Sequence, residues 1–289
     1  MKNIFGISFS DTRYDIAHSI HDEKVKIVSL KSFQYPFPFN YDNLFNEDNI
    51  QVLAATIHNH KLEKGLEELD LVVSLPVNYI FSKRVALPLN ADAELTSAQV
   101  KWELGNYLQG KLTDYKIVKK EQVFFEAYKE IHFIAIRHEL FNKLQELTSN
   151  THTRLGGIKT DSDSLLAILM NNYSEKETNN QFVLCVDDKT LSTYLYIQGS
   201  YYQSFLDIHD GNQDLLLELC QKRYQLGAEI LDTFPNIENN EYNVYLAGSG
   251  SESGLLEMLR EHFVENIVAV KIENESINSG SLKAVGVVL

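Results

Sequence analysis

Apolar and polar positions alternate in steps of two through the start of the chain, the spacing of a strand with one buried face. Ile4, Gly6 and Ser8 stand against Phe5, Ile7 and Phe9, and the runs Tyr14-Asp15-Ile16-Ala17-His18 and Val25-Lys26-Ile27-Val28 continue the pattern. A three-stranded antiparallel meander is expected, with a short hairpin turn at His21-Asp22-Glu23-Lys24. Pro36 and Pro38 each fix φ and lack an N–H, so that stretch reads as loop. Asp48-Asn49 is expected to cap a helix with Ile50, Leu53, Ala54, Ile57 and Leu62 on one stripe, ending near Gly65. A strand over 71–75 stops at Pro76.

The next stretch, about 82–159, reads as a separate unit. It holds a strand over 84–87, a helix over 97–108, strands over 115–118, 123–128 and 131–136, and a helix over 139–147. Its own core is expected from Val85, Leu87, Trp102, Leu104, Tyr107, Phe133, Ile134, Ile136, Phe141 and Leu144, with Trp102 read as core alongside Val100 and Leu108. Gly156-Gly157 and Asp161 lead into a helix over 165–173, and the polar run SEKETNNQ marks a boundary. The opening pattern then returns: strands over 183–186, 193–197 and 201–206, a long helix over 213–231, and a strand over 242–247 that enters Gly248-Ser249-Gly250 and a further helix. Two halves that each begin with a meander followed by a helix constitute an internal duplication.

Composition removes several classes of function. The chain has 289 residues, 44% hydrophobic and 23% charged, enough for about two domains and a proper core. Forty acids against 26 bases give a net charge of -14, which argues against nucleic acid as a partner. Cys185 and Cys220 have neither disulfide nor zinc spacing and read as buried thiols. His58 with His60, and His18 with His21, lack the geometry of a metal pair, and no GxSxG or Walker loop occurs. Gly6, Ser8 and Asp11 come too early for a signal peptide, and no run of about 18 apolar residues exists. A cytoplasmic protein with no direct membrane insertion is the expectation.

The duplicated pattern resembles the actin-like (ribonuclease H-like) fold of actin, sugar kinases and Hsp70 chaperones. Within it, Arg84-Val85-Ala86-Leu87-Pro88-Leu89, Glu94-Leu95 and the helix Val100-Lys101-Trp102-Glu103-Leu104-Gly105-Asn106-Tyr107-Leu108 are similar to the PilM-type pilus assembly proteins and their relatives in cell division and type II secretion. Phe133-Ile134-Ala135-Ile136-Arg137-His138-Glu139-Leu140 and Gly156-Gly157-Ile158 with Asp161 extend the likeness; uncharacterised actin-like proteins of Bacteroidetes are a second match. The resemblance implies an α/β duplicated fold: a first half of residues 1–82 and 160–181, a small inserted α+β subdomain at 83–159, and a second half at 182–289.

It also implies a nucleotide between the halves, held by the first hairpin of each and by a glycine-rich turn. The first hairpin pattern, Gly-Ile-Asp-x-Gly-Ser/Thr, stands here as Gly6-Ile7-Ser8-Phe9-Ser10-Asp11-Thr12, so the metal-holding carboxylate is Ser8 and the close-approach glycine is Ser10. In the second hairpin Cys185 replaces the Asp and Asp187 the Gly, a carboxylate that would repel triphosphate. Asp11, Asp187 and Asp188 could hold metal from shifted positions, but loop acids more often serve local hydrogen bonds. Gly248-Ser249-Gly250 keeps the form of an adenosine turn, a form that strand-to-helix geometry alone also produces. The expected site is therefore a degenerate one, with ATP and Mg²⁺ disfavoured and no catalytic or metal residue. By resemblance the protein is a non-catalytic scaffold of a type IV pilus or secretion apparatus, recruited to the inner face of the membrane by a short cytoplasmic segment of an inner-membrane partner. A nucleotide-binding switch or weak ATPase, and an orphan regulatory protein, are the alternatives.

Overall fold

The computed structural model describes residues 2–10, 12–36, 40–44, 46–124, 127–173, 180–234, 241–248, 254–263, 266–270 and 282–289. Strands β1 (Lys2–Phe9), β2 (Arg13–His21) and β3 (Val25–Gln34) form the opening meander. A short helix α1 (Tyr41–Leu44) and helix α2 (Glu47–Glu63) follow, then β4 (Asp70–Leu75), parallel to β1. The cap of α2 is Asn46, whose side chain accepts from the N–H of Asp48, two residues ahead of the expected start.

After β4 the chain leaves this sheet to build a second one. Strand β5 (Phe81–Pro88), helix α3 (Ala93–Tyr107), and strands β6 (Tyr115–Phe124) and β7 (Tyr128–Arg137) give a three-stranded sheet in the order β5-β7-β6. Asp92 caps α3 by accepting from the N–H of Leu95, so the helix starts four residues before the expected position. The strand expected over 115–118 continues through Phe124 as β6, with a register shift between Lys119 and Glu121; of the strand expected over 123–128, residues 123–124 belong to β6, Tyr128 begins β7, and 125–126 lie outside the described residues.

Helix α4 (His138–Asn150) and strand β8 (Arg154–Thr160) return the chain to the first sheet, whose order is β3-β2-β1-β4-β8. Residues 138–159, read with the insert from sequence, thus pack with the first half: β8 runs parallel to β4, and Leu140, Leu144 and Leu147 of α4 join the core around Phe5, Ile7, Leu53 and Ile57. Ile134 and Ile136 face that core too. The insert's own core is Val85, Leu87, Val100, Leu104, Ile131 and Phe133. Trp102 and Tyr107 are excluded from it, at 62% and 56% exposed, because α3 turns only its Val100–Leu104 side to the sheet.

Helix α5 (Asp161–Asn172) leads to the second half, in which β9 (Asn180–Val186), β10 (Thr190–Ile197), β11 (Ser200–Ile208), helix α6 (Gln213–Asp232), β12 (Tyr242–Ala247), helix α7 (Leu255–His262) and β13 (Val268–Ala269) repeat the topology. The sheet order is β11-β10-β9-β12-β13. Registers coincide: Gly6 opposite Ala17 corresponds to Val183 opposite Tyr194, a constant offset of 177 positions. The last helix, α8 (Leu282–Gly286), packs against α5 and onto β1, β2 and β4 of the first sheet, in a core shared by both halves. Among the described residues no helix is long and apolar enough to cross a membrane.

Candidate functional site

The duplication brings the β1–β2 and β9–β10 turns tip to tip, at the place where the sequence resemblance expects phosphate. The tips touch. Thr12 Oγ1 donates to Asp188 Oδ2 at 2.8 Å across the two halves. Ser10 turns inward on its own hairpin, its N–H and Oγ both donating to the carbonyl of Arg13 at 2.9 and 3.1 Å. The Asp187 N–H closes the second hairpin on the Thr190 carbonyl at 2.9 Å, and the His209 ring braces the Asp187 carbonyl at 3.1 Å.

Behind the tips lies a side chain that sequence reasoning did not select. Lys283 of α8 sends its ammonium between two carboxylates, 3.1 Å from Asp161 Oδ2 and 3.2 Å from Asp187 Oδ2. All three residues are buried, Lys283 at 5% exposure. Asp161 opens α5 in the first half and also accepts from Ser74 Oγ at 2.6 Å, while Asp187 belongs to the second hairpin, so the ammonium ties the halves together. Burial alone would push the Lys283 pKa down, but the two facing carboxylates hold it well above the ordinary lysine value. The neighbouring Cys185 thiol is pushed up to about 12 by burial and is an inert core group, as Cys220 is. Asp187 Oδ1 is buried without a hydrogen-bond partner.

The space left beside this bridge is about 30 Å³, lined by Phe9, Ser10, Asn78, Asp161, Asp187 and Lys283 among others. That is room for a single water, against several hundred Å³ for a nucleotide-sized ligand. Of the residues singled out from sequence, Ser10 and Asp187 line this remnant, Asp188 accepts from Thr12 at the hairpin tips, and Ser8 is buried in β1 beside Ser74. Gly6 lies against the last helix. A Cβ there would lie 2.4 Å from Val287 and 2.5 Å from the Ala284 carbonyl, so glycine at this position admits α8. At Gly248 φ is +85° and a Cβ would sit 2.3 Å from the Val186 carbonyl oxygen, which accounts for glycine by strand packing. Asp11, Ser249 and Gly250 lie outside the described residues. Of the histidines, His18 and His60 flank the Phe5 ring at 5.3 and 5.2 Å and are core groups whose pKa burial lowers. Among the described residues no three His, Cys, Asp or Glu converge as metal ligands.

Lys283 carries one signal in the sequence: it is a lone cation inside Leu-Lys-Ala-Val-Gly-Val-Val-Leu, an otherwise apolar run that must be buried.

The two matched sheets, with helices between and around them, define an actin-like fold carrying an inserted subdomain after β4. No protein-family model and no curated protein matches the sequence. Among solved structures, a chain of a PilM–PilN type IV pilus biogenesis complex is similar at a TM-score of 0.74 and 16% identity, over 99% of this chain and 97% of that one, so the insert is included in the likeness. The ethanolamine utilization protein EutJ from Carboxydothermus hydrogenoformans matches at a TM-score of 0.52 and 9% identity, over 100% of this chain and 89% of that one. The cytoplasmic domain of EpsL from the type II secretion system of Vibrio cholerae gives a TM-score of 0.49 at 6% identity, over 85% and 82% of the two chains.

Proposed function

We propose that this chain is a non-catalytic actin-like scaffold of a pilus or secretion-type envelope assembly apparatus, holding a short cytoplasmic segment of a membrane protein at the inner face of the membrane. The observation that carries the non-catalytic part is the Lys283 bridge: a built-in ammonium lies behind the two hairpins where the resemblance would put phosphate and metal, and about 30 Å³ remains beside it. The pilus placement rests on the likeness to the PilM–PilN chain over nearly the full length of both. In this reading the insert comprises residues 81–137, and the first half takes α4 and β8 as well. A nucleotide switch is disfavoured because a triphosphate would have to displace Lys283 and leave Asp161 and Asp187 facing its own negative charge.

Titration calorimetry with MgATP, with adenosine beside it, tests the reading. No MgATP binding up to millimolar concentration is expected; a dissociation constant in the low micromolar range, or measurable hydrolysis, would replace the scaffold with the switch.

A further inference from the structure

The Lys283 bridge leaves a charge over. Two carboxylates, Asp161 and Asp187, share one ammonium, so one negative charge in the buried cluster has no counterpart. Asp161 has both oxygens engaged: Ser74 Oγ donates to Oδ1 at 2.6 Å, and Lys283 to Oδ2. Asp187 gives only Oδ2 to Lys283, and its Oδ1 is buried without a hydrogen-bond partner. The Asp187 side chain is 5% exposed, so bulk water does not reach that oxygen, and a buried carboxylate is costly until a counter-charge meets it.

The space of about 30 Å³ beside the bridge has walls that suit a small cation. Asp187 lines it together with Ser10, Asn78, Thr190 and Ser192, so a carboxylate, hydroxyls and an amide surround it, the ligand types of hard cations. Among the described residues on its walls there is neither sulfur nor imidazole, and Lys283 is the one cation. Size and charge then choose among ions. Mg²⁺ dehydrates reluctantly and keeps several waters, for which there is no room, and its second charge would oppose the Lys283 ammonium. A single water would fit and donate to Oδ1, but it leaves the charge in place. A monovalent ion without its waters fits and neutralises the cluster.

We propose that this space is a site for one alkali cation, Na⁺ or K⁺, bound by Asp187 Oδ1 and completed by oxygens of Ser10, Asn78, Thr190 and Ser192. Ser10 and Asn78 belong to the first half, and Asp187, Thr190 and Ser192 to the second, so the ion is a clamp across the seam beside Lys283. It differs from the nucleotide-bound divalent metal that the actin-like resemblance implies, since it needs no phosphate, and it does not depend on the scaffold reading.

Thermal denaturation of the full chain tests it in sodium, potassium and tetramethylammonium chloride at one ionic strength of about 0.15 M, with magnesium chloride as a fourth arm at the same ionic strength. Tetramethylammonium matches the charge but is too large for the space. Na⁺ or K⁺ should raise the midpoint over tetramethylammonium by about 3 °C, and the rise should saturate with concentration, as binding to the folded chain alone requires. Asp187→Asn keeps the shape of the side chain and removes its charge, so Na⁺, K⁺ and tetramethylammonium should then give the same midpoint. In Lys283→Met both carboxylates face the space without the ammonium, and the rise should at least double. Equal midpoints for the unaltered chain in all four salts would leave a water beside Asp187 and overturn the proposal. So would a rise that persists undiminished in Asp187→Asn, which places the ion elsewhere, or one that Mg²⁺ produces more strongly than Na⁺ and K⁺, which makes the site divalent.

Discussion

The two halves share topology and register, yet their equivalent positions are filled in opposite ways where they meet. Gly6, Ala17 and Val72 of the first sheet correspond to Val183, Tyr194 and Tyr245 of the second. Small residues on the first sheet let α8 approach closely, although α8 follows the second sheet in sequence. Tyr194 and Tyr245 fill the corresponding volume on the other side, in the same shared core. The hairpin tips diverge likewise: Ser10 bonds its own turn, while its counterpart Asp187 reaches back to Lys283. Duplication thus kept the backbone and redistributed volume and charge, and the halves are joined by an exchanged helix and an internal ion bridge.

The largest expected effect comes from breaking that bridge. Lys283→Met removes the ammonium and leaves Asp161 and Asp187 buried without compensation, which costs about 3–5 kcal/mol of unfolding free energy. Asp187→Asn should cost less, because Lys283 keeps Asp161 and one carbonyl acceptor. Urea denaturation of both variants decides; a Lys283→Met protein as stable as the parent would mean that the halves do not depend on the bridge.

Acid should act on the other seam, between the insert and the second half. His132 is buried there against Tyr201, with Ser82 on its Nε2 at 2.7 Å, and its pKa is lowered to about 4 by burial and then by Arg84. Between about pH 6.5 and 4 the unfolded chain takes up a proton that the folded chain refuses. Stability contributed by neutral His132 is therefore complete above pH 6.5 and falls as pH drops toward 4, by about 3 kcal/mol at 1.4 kcal/mol per unit. Glu130, raised mainly by burial, opposes this trend, so the informative quantity is the difference from His132→Asn. The variant should lose less stability over that interval; parallel curves would show that the seam already admits water.

Gly6→Ala probes the small side of the comparison directly. Its new methyl would press on Val287, Val288 and the Ala284 carbonyl, and overpacking of this kind costs about 1–3 kcal/mol. Thermal denaturation should show the loss, and a neutral result would mean that α8 does not rest on the first sheet.

Why some of this is legible in the sequence is a matter of burial geometry. Both meanders announce themselves because alternation records strands with two different faces, and their repetition points to the fold. Strand β8 escapes that reading because Gly156-Gly157 interrupts its apolar signal, and its partners on β4 lie more than 80 positions earlier. Hydrophobicity misplaces Trp102, since residue type alone does not tell which side of α3 meets a sheet. The bridge is the hardest to see: Lys283 is 122 positions from Asp161 and 96 from Asp187, and neither acid stands in a motif that asks for a lysine. The substituted hairpins say that something is changed between the halves, without saying what takes its place.

The smallest effect is expected at the outer edges, where the halves also differ. Ile208 is 79% exposed, so Ile208→Lys removes little buried area and should alter unfolding free energy by less than about 0.5 kcal/mol. Lys31 on β3 pairs with exposed Glu63 at 3.2 Å, and Lys31→Leu loses a surface ion pair that solvent screens. Together the two changes narrow the difference between the edges without disturbing either core. Denaturation of the double variant should therefore stay close to the parent curve, while β11 gains a lysine and β3 keeps only Lys26. A loss of several kcal/mol from Ile208→Lys would show that β11 is covered in the folded chain. The contrast between a charged edge and a bare one would then be a feature of sequence with no free surface behind it.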